Sequence, residues 1–84
     1  MLHQPQIWQI INDKLPNDVW VTLQDIYKII ERNVTLDDED FKPQSPNSEI
    51  PKYKRNVRNV LQCRKTTGEI EWDGDAKYKL VRIR

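Results

Sequence analysis

Three features of the sequence predict an α+β fold. They are helical spacing of apolar residues in three separate stretches, a very short extended run between the first two, and a C-terminal stretch whose apolar residues alternate about an Asp-Gly pair. In residues 5–15, Ile7, Trp8, Ile11 and Leu15 recur at helical spacing, while Gln9, Asn12 and Asp13 lie off that stripe. Pro16 disfavours helical geometry at Leu15, and Asn17 with Asp18 suits a turn, so the first helix closes there. Val19, Trp20 and Val21 then form the short extended run. Thr22 followed by Asp25 has the spacing of a capping box, which starts a second helix with Leu23, Ile26, Tyr27 and Ile30 on its buried stripe. Gln24, Lys28 and Glu31 face out, and Asn33 supplies the stop.

Residues 34–50 hold two prolines, no apolar periodicity and an acidic run at 37–40, so a long, partly mobile acidic loop is expected. Loops of this length are uncommon inside small domains; it is expected either to act or to contain a short helical turn at 38–41, with Phe41 anchored in the core. Pro51 suits a first helical position, with Ser48 or Glu49 upstream to help cap it. The third helix runs to about Lys65 and buries Tyr53, Val57, Val60 and Leu61, which leaves Lys52, Arg55, Arg58, Asn59 and Gln62 on the far side. Gly68 ends it. Ile70 and Trp72 alternate, Asp73-Gly74 marks a turn, and Tyr78 and Leu80 alternate back; beyond them Val81 and Ile83 have the opposite parity. The order helix, short strand, helix, helix, hairpin is that of a winged helix-turn-helix fold. It predicts three helices, a C-terminal β-hairpin wing and a short strand between helices one and two, as one domain over residues 1–84.

The composition excludes several classes. No stretch nears the roughly 20 apolar residues that cross a bilayer, and MLHQPQIWQ lacks the basic start and apolar run of a signal peptide, so a cytoplasmic protein without membrane partners is expected. Cys63 is the only cysteine and His3 the only histidine, too few for an internal disulfide or a structural zinc site. The acidic run lacks the glycine and terminal glutamate of a calcium loop. His3 with Asp13 or Asp18 makes no triad, and Cys63 has no nearby base. No enzyme, cofactor, metal or small-molecule substrate is therefore expected.

Charge carries the functional signal. The formal net charge is +1, yet residues 1–50 hold four Lys or Arg against nine Asp or Glu, and residues 51–84 hold ten against four. No carboxylate lies between Pro51 and Gly68, where a merely solvated helix would mix signs. Arginine pairs bidentately with guanine, and asparagine and glutamine pair with adenine, so Arg55, Asn59 and Gln62 are the candidate base readers of double-stranded DNA. Lys52, Asn56 and Arg58 flank them, and Lys54, nearer the buried boundary, suits a backbone contact. Lys77 and Lys79 lie opposite Tyr78 and Leu80 and suit either phosphates or protection of an exposed strand edge; Arg82 and Arg84 lie near the terminus. Trp8, Trp20 and Trp72 are expected to pack in the core instead of serving as stacking platforms. The alternative reading is a winged helix that binds a protein partner or its own copy through the Val81 and Ile83 edge or the acidic loop, which the near-neutral total charge favours.

WVTLQDIY leading into the second helix, LDDED in the loop, YKRNVRNVLQ in the third helix and GEIEWDGDAKYKL in the wing together resemble a known family. It comprises winged-helix domains found alone or fused to bacterial restriction-type endonucleases, related to the N-terminal domain of Mrr-like restriction proteins. The resemblance covers most of the chain and implies a winged-helix fold, DNA binding and a targeting role in a restriction-modification or defence system. Two positions depart from the pattern: Tyr53 stands where a Trp opens the third helix, and Asp73 and Asp75 replace a basic, Gly-rich wing tip, which weakens DNA contact there. No nuclease half is present in these 84 residues, so the endonuclease activity of fused relatives is not implied.

Overall fold

A computed structural model describes residues 2–43 and 49–81 of the chain. Ser48, offered above as a cap, and Arg82, Ile83 and Arg84 lie outside the described residues. The elements are α1 (Gln4–Lys14), β1 (Trp20–Thr22), α2 (Leu23–Asn33), α3 (Asp38–Phe41), α4 (Lys52–Thr67), β2 (Ile70–Trp72) and β3 (Lys77–Leu80). This is an α+β arrangement of four described helices and a three-stranded antiparallel sheet in the order β1-β3-β2. The extra helix is α3, the short turn considered for the acidic loop.

Local signals place most boundaries. The Thr22 hydroxyl accepts the Asp25 N–H at 3.2 Å, capping α2 where the sequence predicts. Asn33 Nδ2 donates to the Ile29 carbonyl at 2.7 Å and closes the other end. Pro51 stands one residue earlier than predicted, at the N-cap with an extended ψ of 147°; its carbonyl accepts the Arg55 N–H at 3.2 Å, and the free Lys52 N–H is satisfied by the Lys42 carbonyl at 2.9 Å. α4 also continues two residues past Lys65. Gly68, at φ 88°, ends it with paired bonds from its own N–H to Lys65 and from Glu69 to Arg64, a closure that needs a left-handed residue.

The apolar stripes converge on one core, in which Ile7 and Ile11 of α1, Ile26 and Ile30 of α2 and Val57 and Leu61 of α4 are wholly buried. Tyr53 packs there too; burial and the neighbouring Glu31 carboxylate push its hydroxyl up to about 12, so it stays neutral and donates to Glu31. The sheet closes the core with Val21, Ile70, Tyr78 and Leu80. No described helix is long and apolar enough to cross a membrane.

Three expectations need correction. Phe41 is 55% exposed and meets the core only through an edge contact with Tyr53, at 5.6 Å between ring centroids. The residue anchored inside is Asp40, 1% exposed: its Oδ1 accepts the Leu2 N–H at 2.8 Å and its Oδ2 accepts the Asp37 N–H at 3.0 Å. Two otherwise unsatisfied amides demand that carboxylate, and the adjacent position on a single helical turn then points away.

Trp20 and Trp72 are likewise 44% and 38% exposed. Trp20 has the opposite strand parity to buried Val21, whereas Trp72 shares the face of Ile70 at the hairpin's far end, where Tyr78 and Lys65 are its neighbours. Trp8 does pack on the core, under the Arg64 guanidinium. Finally, Lys77 and Lys79 protect no edge, because β3 is the central strand, paired Trp20↔Lys79 with β1 and Glu71↔Lys79 with β2.

Candidate nucleic-acid interface

With one side of α4 committed to the core, the 3.6-residue period turns Arg55, Arg58, Asn59 and Gln62 outward. All four are exposed, and with Ile50 they line one shallow groove of about 280 Å³. Among the described residues no carboxylate lines it. Arg58 lies close enough to Tyr27 to oppose the effect of burial, which raises that hydroxyl above its ordinary value. At the C-terminal end of the groove Gln62 Nε2 donates to the Tyr78 hydroxyl at 3.1 Å, tying α4 to the central strand.

The other predicted residues are distributed differently. Lys52 is bound to Glu39, Nζ to Oε2 at 2.9 Å, and Lys42 holds the second oxygen of that carboxylate at 3.0 Å. Lys52 first, and Lys42 with it, keep the Glu39 carboxyl below its usual range. Lys79 is occupied as well, 3.1 Å from a Glu71 carboxylate oxygen and 5.0 Å from the centre of the Trp20 ring. Lys54 lies over Tyr27 at 5.1 Å, and Asn56 donates to the Leu2 carbonyl at 3.4 Å on a flank outside the groove. Lys77 is exposed. Among the described residues Arg55, Arg58 and Lys77 make no ion pair, so an anion could meet them without displacing a carboxylate.

Two neighbours of the groove were not anticipated. Lys65 sits one helical turn beyond Gln62 and lies over Trp72, at 4.9 Å from its centre. Its spacing from Gln62 was a readable signal, obscured because the predicted helix stopped there. The groove's apolar wall, Ile50, comes from the loop and had no periodic signal. At the wing tip, Asp73 Oδ1 accepts the Asp75 and Lys77 N–H groups at 2.8 and 3.3 Å, so this acid shapes the turn.

The Glu39 pair has a measurable consequence. Glu39→Gln keeps the shape of α3 but releases Lys52; if α4 faces duplex DNA, affinity at low salt should rise about threefold. Titration of both proteins against one labelled duplex checks this; unchanged affinity would mean that Lys52 makes no contact.

A larger groove, about 440 Å³, lies between the α1–β1 turn and α2, where Pro16, Trp20, Val21 and Ile29 mix with Asp25, Lys28 and Arg32. Its lining carries charges of both signs, whereas the only charged side chains lining the α4 groove among the described residues are arginines. Among the described residues no group of three or more His, Cys, Asp or Glu side chains is arranged to hold a metal ion. Comparison with protein-family models, with characterised proteins and with solved structures finds no match to this chain.

Proposed function

We propose that this chain is a winged helix-turn-helix module that binds double-stranded DNA, with α4 as the helix that enters the major groove. The observation that carries the reading is the groove of Arg55, Arg58, Asn59 and Gln62 on a helix without a carboxylate. The sheet order β1-β3-β2, with β2 and β3 forming the wing, is compatible with that fold.

In this arrangement Arg55, Asn59 and Gln62 meet base edges, while Arg58, Lys54 and Lys77 meet phosphates; Lys52 and Lys79 join only by exchanging Glu39 and Glu71 for the DNA backbone. Asp73 and Asp75 keep the wing tip off the phosphates. The resemblance of the sequence motifs to Mrr-like domains leads us to propose targeting of a restriction or defence system as the setting.

Fluorescence anisotropy with a mixed-sequence duplex tests the reading. Binding should appear at micromolar protein in low salt, and log K should fall against log salt with a slope of about −3 to −4.5, the signature of three to five phosphate contacts. No binding at tens of micromolar protein sinks it.

A second reading has its own observation. Val19, 49% exposed, stands beside exposed Trp20 at the mixed groove, and such apolar surface suits a protein partner or a second copy.

A further inference from the structure

We propose that Gln62 is an adenine-reading residue and that Tyr78 positions it for that task; the proposal rests on α4 lying in the major groove. The starting point is an asymmetry between the two amides of the groove. Both Asn59 and Gln62 are exposed. Only Gln62 is tethered, by the 3.1 Å bond from its Nε2 to the Tyr78 hydroxyl across 16 positions of sequence.

The tether is attached to a fixed point. Tyr78 is 3% exposed, lies in the strand paired on both sides, and has its ring nearly parallel to that of Trp72, at 14° and 6.3 Å. A glutamine side chain normally loses much rotamer freedom on binding. Here part of that ordering is already present in the free protein, so more of each new hydrogen bond is expressed as discrimination.

The chemistry of the remaining edge selects the base. Nε2 carries two hydrogens and Tyr78 needs only one; with the hydrogen trans to Oε1 given to Tyr78, Oε1 and the cis hydrogen form an adjacent acceptor and donor. In the major groove adenine presents a donor, its N6 amine, beside an acceptor, N7. Guanine presents two acceptors, cytosine a lone donor, and thymine an acceptor with a methyl group. Adenine alone satisfies both arms. Arg58, one turn earlier on the same groove, anchors the backbone beside that position.

The experiment is selection from a pool of duplexes with a randomised central segment, using the wild-type chain and Gln62→Ala, Gln62→Glu and Tyr78→Phe. Wild type should enrich adenine at one position about tenfold over other bases, the discrimination typical of a bidentate pair. Gln62→Ala should flatten that position and bind the adenine-bearing duplexes about tenfold more weakly than wild type does. Gln62→Glu, an acceptor only, should switch the preference to cytosine. Tyr78→Phe keeps the ring and should reduce the adenine preference to roughly threefold with pool affinity unchanged, an effect that a merely structural tyrosine would not produce.

Selection without adenine, or an adenine preference that survives Gln62→Ala, overturns the proposal while leaving DNA binding intact. A preference unchanged in Tyr78→Phe removes the positioning role. If the wild-type chain retains no duplex at all, the DNA reading fails, and the wild-type arm alone reveals it.

Discussion

Replacing Arg55 and Arg58 together by glutamate is expected to abolish binding of mixed-sequence duplex DNA while leaving the domain folded. Both side chains are exposed, line the α4 groove and make no ion pair among the described residues, so their removal strands no partner. Each arginine contact is worth about 1–3 kcal/mol, and the new carboxylates add repulsion from phosphate, so the loss should be roughly 100-fold or more at low salt. The stability change should stay within about 0.5 kcal/mol, as for other surface substitutions. Anisotropy and a thermal melt measure the two quantities. A double variant that binds duplex like wild type removes α4 from the interface; one that loses DNA yet still self-associates or captures a partner places that activity on a surface other than the α4 groove.

Asp40→Asn is expected to be the most costly single polar substitution for stability. The Asp40 carboxylate is buried with each oxygen accepting a different backbone N–H, from Leu2 and from Asp37. An amide supplies one acceptor and turns its NH2 against the second donor, leaving a buried N–H unsatisfied at a cost of about 2 kcal/mol. For a domain of this size that lowers Tm by roughly 8–16 °C. The loss is not confined to α3. Leu2 is buried, its carbonyl accepts from Asn56 of α4, and its N–H depends on Asp40, so one carboxylate fastens the start of the chain to both α3 and α4. A melting shift below about 2 °C would mean that both amides find other acceptors, and the anchoring role would be abandoned.

Much of the fold is legible in the sequence because its signals are local. The buried stripe of α4, Tyr53, Val57, Val60 and Leu61, follows from spacing alone. Thr22 and Gly68 mark ends through bonds to residues a few positions away. What periodicity misses depends on distant partners. Hydropathy puts Phe41 inside and Asp40 outside; the reverse arises because the N–H that Asp40 must satisfy belongs to Leu2, 38 positions back. The same holds in the candidate site. Arg55, Arg58, Asn59 and Gln62 are gathered on one groove by helical spacing, but the partners that occupy Lys52 and Lys79 come from α3 and β2. Nor does any local pattern connect Gln62 with Tyr78, whose hydroxyl arrives through strand pairing.

The place of β3 in the middle of the sheet also bears on how the chain is made. β1 and β2 do not pair with each other; each pairs with β3, the last of the described elements to leave the ribosome. Residues 20–22 must therefore wait for residues 77–80, and Val21 and Ile70 lack their strand partners until β3 has emerged. α1 and α2 can pack early, being close in sequence, but the sheet cannot form piecemeal. A nascent chain stalled before residue 77 would present two unpaired strand segments at once, and its protection from aggregation during translation falls to the helices alone.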